Sequence, residues 1–286
     1  MKKLLALLLL IPSLAFAQVD IWARAAFGKT PGVSFVKLVG INPAPTTTFE
    51  PMWGESATYT PALVALVSPI CASSSANDAA AGTGARTISV TGVNTSFARF
   101  TETVTLNGST VVAMTTSAIM FIDKITVVTA GSGLVNAGII QCGVGDAGAG
   151  DITTPHQYLP VSSDTAVAAA GVGGGNVSQS FFYGVPASHT LICRNLTMST
   201  YLATTVIGIQ AEVDGYTNST GVLKRYSNLS GNNAGGNGVY DPGIMVFPEK
   251  TLVIGRMAVT TAAPAFLSME CLDITDSSSN TNQVLF

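Results

Sequence analysis

Charge is what this 286-residue chain has least of: only 10% of its residues are Asp, Glu, Lys or Arg, well under the usual quarter. There is no clustered run of Lys or Arg to neutralise phosphates, which argues against a nucleic-acid partner. Histidine is almost absent, at two residues, His156 and His189, and none of the four cysteines forms a CxxC pair. A zinc cage with ordinary ligand spacing is therefore unsupported, and no cofactor is expected. After the first seventeen residues no apolar run reaches the eighteen that a membrane-spanning helix needs, so no membrane association is expected of the mature chain. Helical periodicity is equally hard to find there.

What is present begins with "MKKLLALLLLIPSLAFA", residues 1–17. Lys2 and Lys3 precede a short apolar run, and Ala15 and Ala17 stand ahead of Gln18, the pattern of a cleavable secretory signal. Without Lys2 and Lys3 the formal charge falls from −3 to about −5. Export places the four cysteines in an oxidising compartment, where disulfides are expected. Four cysteines allow three pairings; one bridge within each of the two domains outlined below selects Cys71–Cys142 and Cys193–Cys271.

Gly, Ala, Ser, Thr and Val fill the space that charge leaves, in short β-branched runs bounded by Gly, Asn, Ser and Pro. In "RTISVTGV", Arg86 to Val93, Ile88 and Val90 share a face. Thr101, Thr103 and Thr105 alternate with Glu102, Val104 and Leu106, a half-polar strand of period two. Asn107-Gly108 supplies a turn tolerant of positive φ, so Leu106 and Ser109 should flank a tight hairpin. A second block of strands runs from residue 178 to 275, with "GVPASHT" as a turn because Pro186 cannot donate to a ladder.

These features predict an all-β chain of two antiparallel β-sandwich domains, jelly-roll or immunoglobulin-like, joined by a Gly/Ala-rich linker. The expected order is a signal peptide (1–17), an N-terminal arm (18–56), a first sandwich (57–145), a linker (146–177), a second sandwich (178–275) and a disordered tail (276–286).

Motifs that resemble chemistry fail on context. "GVGDAG", Gly143 to Gly148, has the GxGxxG letters of a dinucleotide loop, but Pro155 and Pro160 follow where a helix must open. "SSSANDAAAGTGART", Ser73 to Thr87, carries loop glycines without the Lys-Ser or Lys-Thr of a phosphate cradle. It reads as an exposed connection, with Asp78 and Arg86 expected to form an ion pair. Asn77-Asp78 reads as an Asx turn in preference to a calcium site, which would need further acids nearby. His189 reads as a strand-entry residue and His156 as a solvated linker residue. A hydrolase would need Asp123, Asp214 or Glu270 gathered around one of them. No catalytic residue is therefore assigned.

The run "SSSANDAAAGTGARTISVTGV", then "ETVTLNGSTVV" and "TVVTAGSGLVNAGII", resembles a recurrent block in β-rich virion structural proteins of tailed bacteriophages, especially marine ones. The similarity is strongest over residues 73–140 and extends more loosely to Phe49, Trp53 and Tyr59. It implies a non-enzymatic place in the virion, as a head-decoration or fibre-associated protein, with other virion subunits, further copies of this chain and a host-surface glycan or protein as partners. The alternative from the signal peptide is a secreted or cell-surface bacterial adhesin or carbohydrate-binding protein; carbohydrate binding would call for exposed aromatic platforms, and Trp22 and Trp53 both lie near the N-terminus, outside the expected sandwiches.

Overall fold

A computed structural model describes residues 20–54, 59, 65–161, 175–200, 207–218, 221–233, 237–240, 243–261 and 263–276. The signal segment, most of the tail and the middle of the expected linker lie outside the described residues. The short helix α1 (Ile21–Ala26) precedes β1 (Val33–Asn42), β2 (Glu50–Pro51), β3 (Leu66–Val67), β4 (Ile70–Ser73) and β5 (Ala85–Asn94). There follow β6 (Arg99–Thr105), β7 (Val112–Ala113), β8 (Ala118–Ala130), β9 (Ile140–Gly148), β10 (Asp151–Leu159) and β11 (Phe182–Gly184). The chain ends in β12 (His189–Thr200), β13 (Ile207–Thr217), β14 (Val222–Asn233), β15 (Asn237–Tyr240), β16 (Met245–Phe247), β17 (Thr251–Val259) and β18 (Ala265–Thr275).

The strands build four small antiparallel sheets. Sheet I has the order β1-β18-β12-β15, with β16 also on β12, and sheet II the order β10-β9-β4-β7. Sheet III has the order β11-β17-β13-β14, with β2 on β17, and sheet IV the order β3-β8-β5-β6. Period-two patterning explains the register. Ile88 and Val90 are fully buried while Thr87, Ser89 and Thr91 between them are half-exposed, and on β6 Val104 is buried between exposed Thr103 and Thr105.

The all-β, antiparallel expectation holds, but the division into two sandwiches on a linker needs correction: the four sheets form a propeller-like, four-bladed ring. One buried cluster brings Leu38, Cys193 and Leu267 of sheet I against Ala211, Val213 and Met257 of sheet III. A second joins Ile88, Val90 and Ile125 of sheet IV to Cys71, Ile140 and Cys142 of sheet II. A third, with Trp53, Phe121, Phe182 and Leu252, fills the junction between sheets III and IV. That junction is a packed core, which a flexible linker would not supply.

The expected arm and linker both contribute strands. β1 pairs with β18 over ten residues, from Val33 opposite Ile274 to Asn42 opposite Ala265. β10 pairs with β9 at the rim of sheet II, and its ladder shifts register between Pro155 and Gln157. An edge strand tolerates Pro155 because the missing N–H is not needed by a second neighbour. "GVGDAG" is accordingly the end of β9 and its turn, with Gly145 and Gly148 at positive φ. Asn107-Gly108 does turn, Gly108 having φ 62°. The chain then leaves sheet IV, and β7 pairs with β4 in sheet II, so the turn closes no hairpin between β6 and β7.

Both disulfides join directly opposed residues on neighbouring strands. Cys71 and Cys142 face each other on β4 and β9, and Cys193 and Cys271 on β12 and β18. Each closes a long loop, with sequence separations of 71 and 78. In the chain-entropy account, loops of that length stabilise the fold by about 4 kcal/mol each.

Candidate functional site

The loop after β4 is largely exposed, as expected, but it closes over a buried polar knot at Asp78. Asp78 is fully buried and each carboxylate oxygen has two protein donors. Oδ1 accepts the Ala85 amide at 2.6 Å and the Ala137 amide at 2.8 Å. Oδ2 accepts the Ser73 hydroxyl at 2.6 Å and the Gly138 amide at 2.8 Å. The Asp78 carbonyl accepts the Gly108 amide at 2.7 Å, so one residue ties together three loops. Gly84 is required by this approach, since a Cβ there would stand 2.1 Å from Asp78 Oδ1. The expected ion pair of Asp78 with Arg86 does not form. Backbone amides and the Ser73 hydroxyl take up the carboxylate, and Arg86 donates through Nε to the Gly82 carbonyl at 3.0 Å instead.

A second buried polar group lies on the outer side of sheet III. Glu212 and Asp214 alternate with the core residues Ala211 and Val213 on β13, so both project away from the main cluster, yet both are buried. Arg225 donates to Glu212 Oε2 at 2.7 Å and lies 3.6 Å from Asp214 Oδ1, while Arg256 grips Asp214 Oδ2 through Nε and Nη2. Glu212 Oε1 and Asp214 Oδ1 have no hydrogen-bond partner among the described residues. Burial, and then repulsion from Asp214, hold the Glu212 carboxyl above its ordinary range although both arginines pull it down.

A cleft of about 770 Å³ lies between the edge of β1 and the outer face of sheet IV, within the range of ordinary binding sites. At its base Asp273 accepts from the Tyr183 hydroxyl at 2.6 Å and pairs with His189 Nδ1 at 2.7 Å. The Arg99 guanidinium lies over the Tyr183 ring, 4.0 Å from its centroid, and pairs with Asp123. Asp123 also accepts the Gly184 amide at 2.7 Å. Burial, opposed by the Arg99 charge, pushes the Tyr183 phenol up, so Tyr183 remains a donor to Asp273.

His189 opens β12, as a strand-entry residue should. Its partner is Asp273, and not Asp123, Asp214 or Glu270; Asp123 lines the same cleft but belongs to Arg99. Glu270 lies by Arg194 and Asn195. A His–Asp pair can orient a general base, but no hydroxyl is hydrogen-bonded to His189 among the described residues.

His156 corrects the expectation of a solvated linker residue. It is buried in β10 with its ring 6.0 Å from Tyr59, and burial lowers its pKa to about 4. The aromatic candidates are also committed: Trp53 is buried among Tyr59, Tyr158 and Phe182, and Trp22 stacks under Arg194 at 3.9 Å. Among the described residues no helix is long and apolar enough to cross a membrane.

No family model matches the chain, and no curated protein matches it in sequence. Among solved structures it is similar to the 2.6 Å structure of infectious bursal virus derived T=1 particles, at 13% identity and a TM-score of 0.23, over 86% of this chain and 69% of that one.

Proposed function

We propose that the chain is a non-enzymatic structural protein of a bacteriophage virion, in a head-decoration or fibre-associated position, making protein–protein contacts on the particle. The observation that carries this reading is the use made of the block at residues 73–140. Its most deeply buried carboxylate, Asp78, is spent on holding loops together, and the other buried one, Asp123, is taken by Arg99 and the Gly184 amide. The block itself is what resembles virion structural proteins. Free strand edges on a disulfide-tied β scaffold supply the means of contact with neighbouring subunits and with further copies of the chain. Mass spectrometry of particles banded on a density gradient tests it: the chain is expected to co-band with the capsid, and its confinement to unassembled fractions would overturn the proposal.

The disulfides favour a second reading, an exported or cell-surface adhesin, because both cysteine pairs suit an oxidising compartment. A carbohydrate platform built on Trp53 or Trp22 is disfavoured, since the first is buried and the second covered by Arg194. Genes for capsid, portal and terminase beside this one support the virion reading, and secretion or pilus genes support the adhesin.

A further inference from the structure

The cleft is bounded along one side by a strand edge. Ile41 donates its N–H to Gln179 O at 3.1 Å and accepts from Gly54 N, so its backbone groups face away from β18. Alternation along a strand turns the N–H and C=O groups of Val39, Lys37 and Phe35 the same way. None of these three has a backbone partner on that side among the described residues, and all three line the cleft. Other sheets also have edges, but here the opposite wall, carrying Thr91, Thr101 and Lys124, stands across a gap.

The charges in the gap are of unequal availability. Asp123 is taken by Arg99 and the Gly184 amide, and Asp273 by His189 and Tyr183. Lys124 is exposed and joins no ion pair among the described residues. Lys37, also exposed and without an ion pair among the described residues, stands opposite Glu270 across the β1–β18 ladder, and Glu270 is already shared by Arg194 and Asn195. The free charge bordering the cleft is therefore cationic.

We propose that this cleft binds an extended, acidic segment of a partner polypeptide, which adds as a strand to the open edge of β1 and sets its carboxylates against Lys124 and Lys37. Three outward-facing residues match a partner strand of about six residues, with alternate side chains directed at sheet IV. The inference deepens the structural role proposed above by naming the chemistry of the contact. It is also testable on the isolated protein, so its failure leaves particle membership untouched.

The probe is a capped, fluorescein-labelled octapeptide alternating valine and glutamate, compared with its lysine counterpart and with a version N-methylated at alternate amides. The glutamate peptide is expected to bind with Kd below about 100 µM, to protect the Phe35, Lys37 and Val39 amides from hydrogen exchange, and to weaken at least tenfold on N-methylation of the edge-facing amides. Lys124→Glu should also weaken it at least tenfold. Lys37→Pro removes an outward N–H that the β18 ladder does not use, and should weaken binding more than Lys37→Ala. Thermal melts matching the parent confirm that each variant is folded. Equal binding of the lysine peptide, or glutamate-peptide binding indifferent to N-methylation, would overturn the proposal, as would no binding at millimolar peptide.

Discussion

Among the described residues, the most deeply buried carboxylates of the two halves of the ring, Asp78 in one and Glu212 with Asp214 in the other, are held in opposite ways. In the half built from sheets II and IV, Asp78 is satisfied by neutral donors, three backbone amides and a hydroxyl, none of them on a flexible side chain longer than serine. In the half built from sheets I and III, Glu212 and Asp214 rely on Arg225 and Arg256, and an oxygen of each acid is left without a hydrogen bond among the described residues. A carboxylate held by backbone amides fixes the loops that carry those amides. A carboxylate held by arginines fixes mainly side chains and retains part of its desolvation cost.

Removing Asp78 should have the largest effect. Asp78→Ala leaves the amides of Ala85, Ala137 and Gly138 without their acceptor, and a loss on the order of 5 kcal/mol in urea unfolding is expected. Asp78→Asn should recover only part, because an amide nitrogen replaces one of the accepting oxygens. A loss under about 1 kcal/mol for the alanine variant would remove the distinction between the halves. Next, replacing Cys71 and Cys142 by alanine should cost about 4 kcal/mol, and the second bridge about the same; unequal losses would show which half depends more on its crosslink. Arg256→Met leaves Asp214 with only Arg225 nearby, and about 3 kcal/mol should be lost.

The smallest effect concerns pH. His156 has its folded pKa depressed to about 4 by burial, so the unfolded chain takes up the proton first. Its stabilising contribution is present above the unfolded pKa near 6.5 and is lost as pH falls toward 4. Between pH 7 and pH 5 the loss should be about 2 kcal/mol. His156→Phe should flatten that part of the stability profile; an unchanged slope would show that His156 is solvated after all.

The local periodicities were legible in the sequence, and long-range destinations were not. Alternation around Ile88, Val90 and Val104 announces β5 and β6, and Asn107-Gly108 announces a turn. That the next strand joins β4 instead of β6 depends on Ile70 and Cys71 meeting Ala113 and Val112, which no local pattern encodes. Asp78 looked like a turn residue because its amide donors at Ala137 and Gly138 lie some sixty positions away. Pro155 and Pro160 made the region around His156 look like linker, whereas an edge strand accommodates the first of them. The cleft joins β1 to Lys124 and to Asp273 and His189, segments separated by most of the chain. One signal was present and unread: Glu212 and Asp214, two apart in an otherwise apolar strand, already shared a face.

The proposed place in a particle is decided by quantitative mass spectrometry of purified particles, with each chain counted against the major capsid protein. A fixed copy number that survives repeated gradient purification and high salt is expected. Copies that fall away with each purification step, or none from the outset, would contradict it.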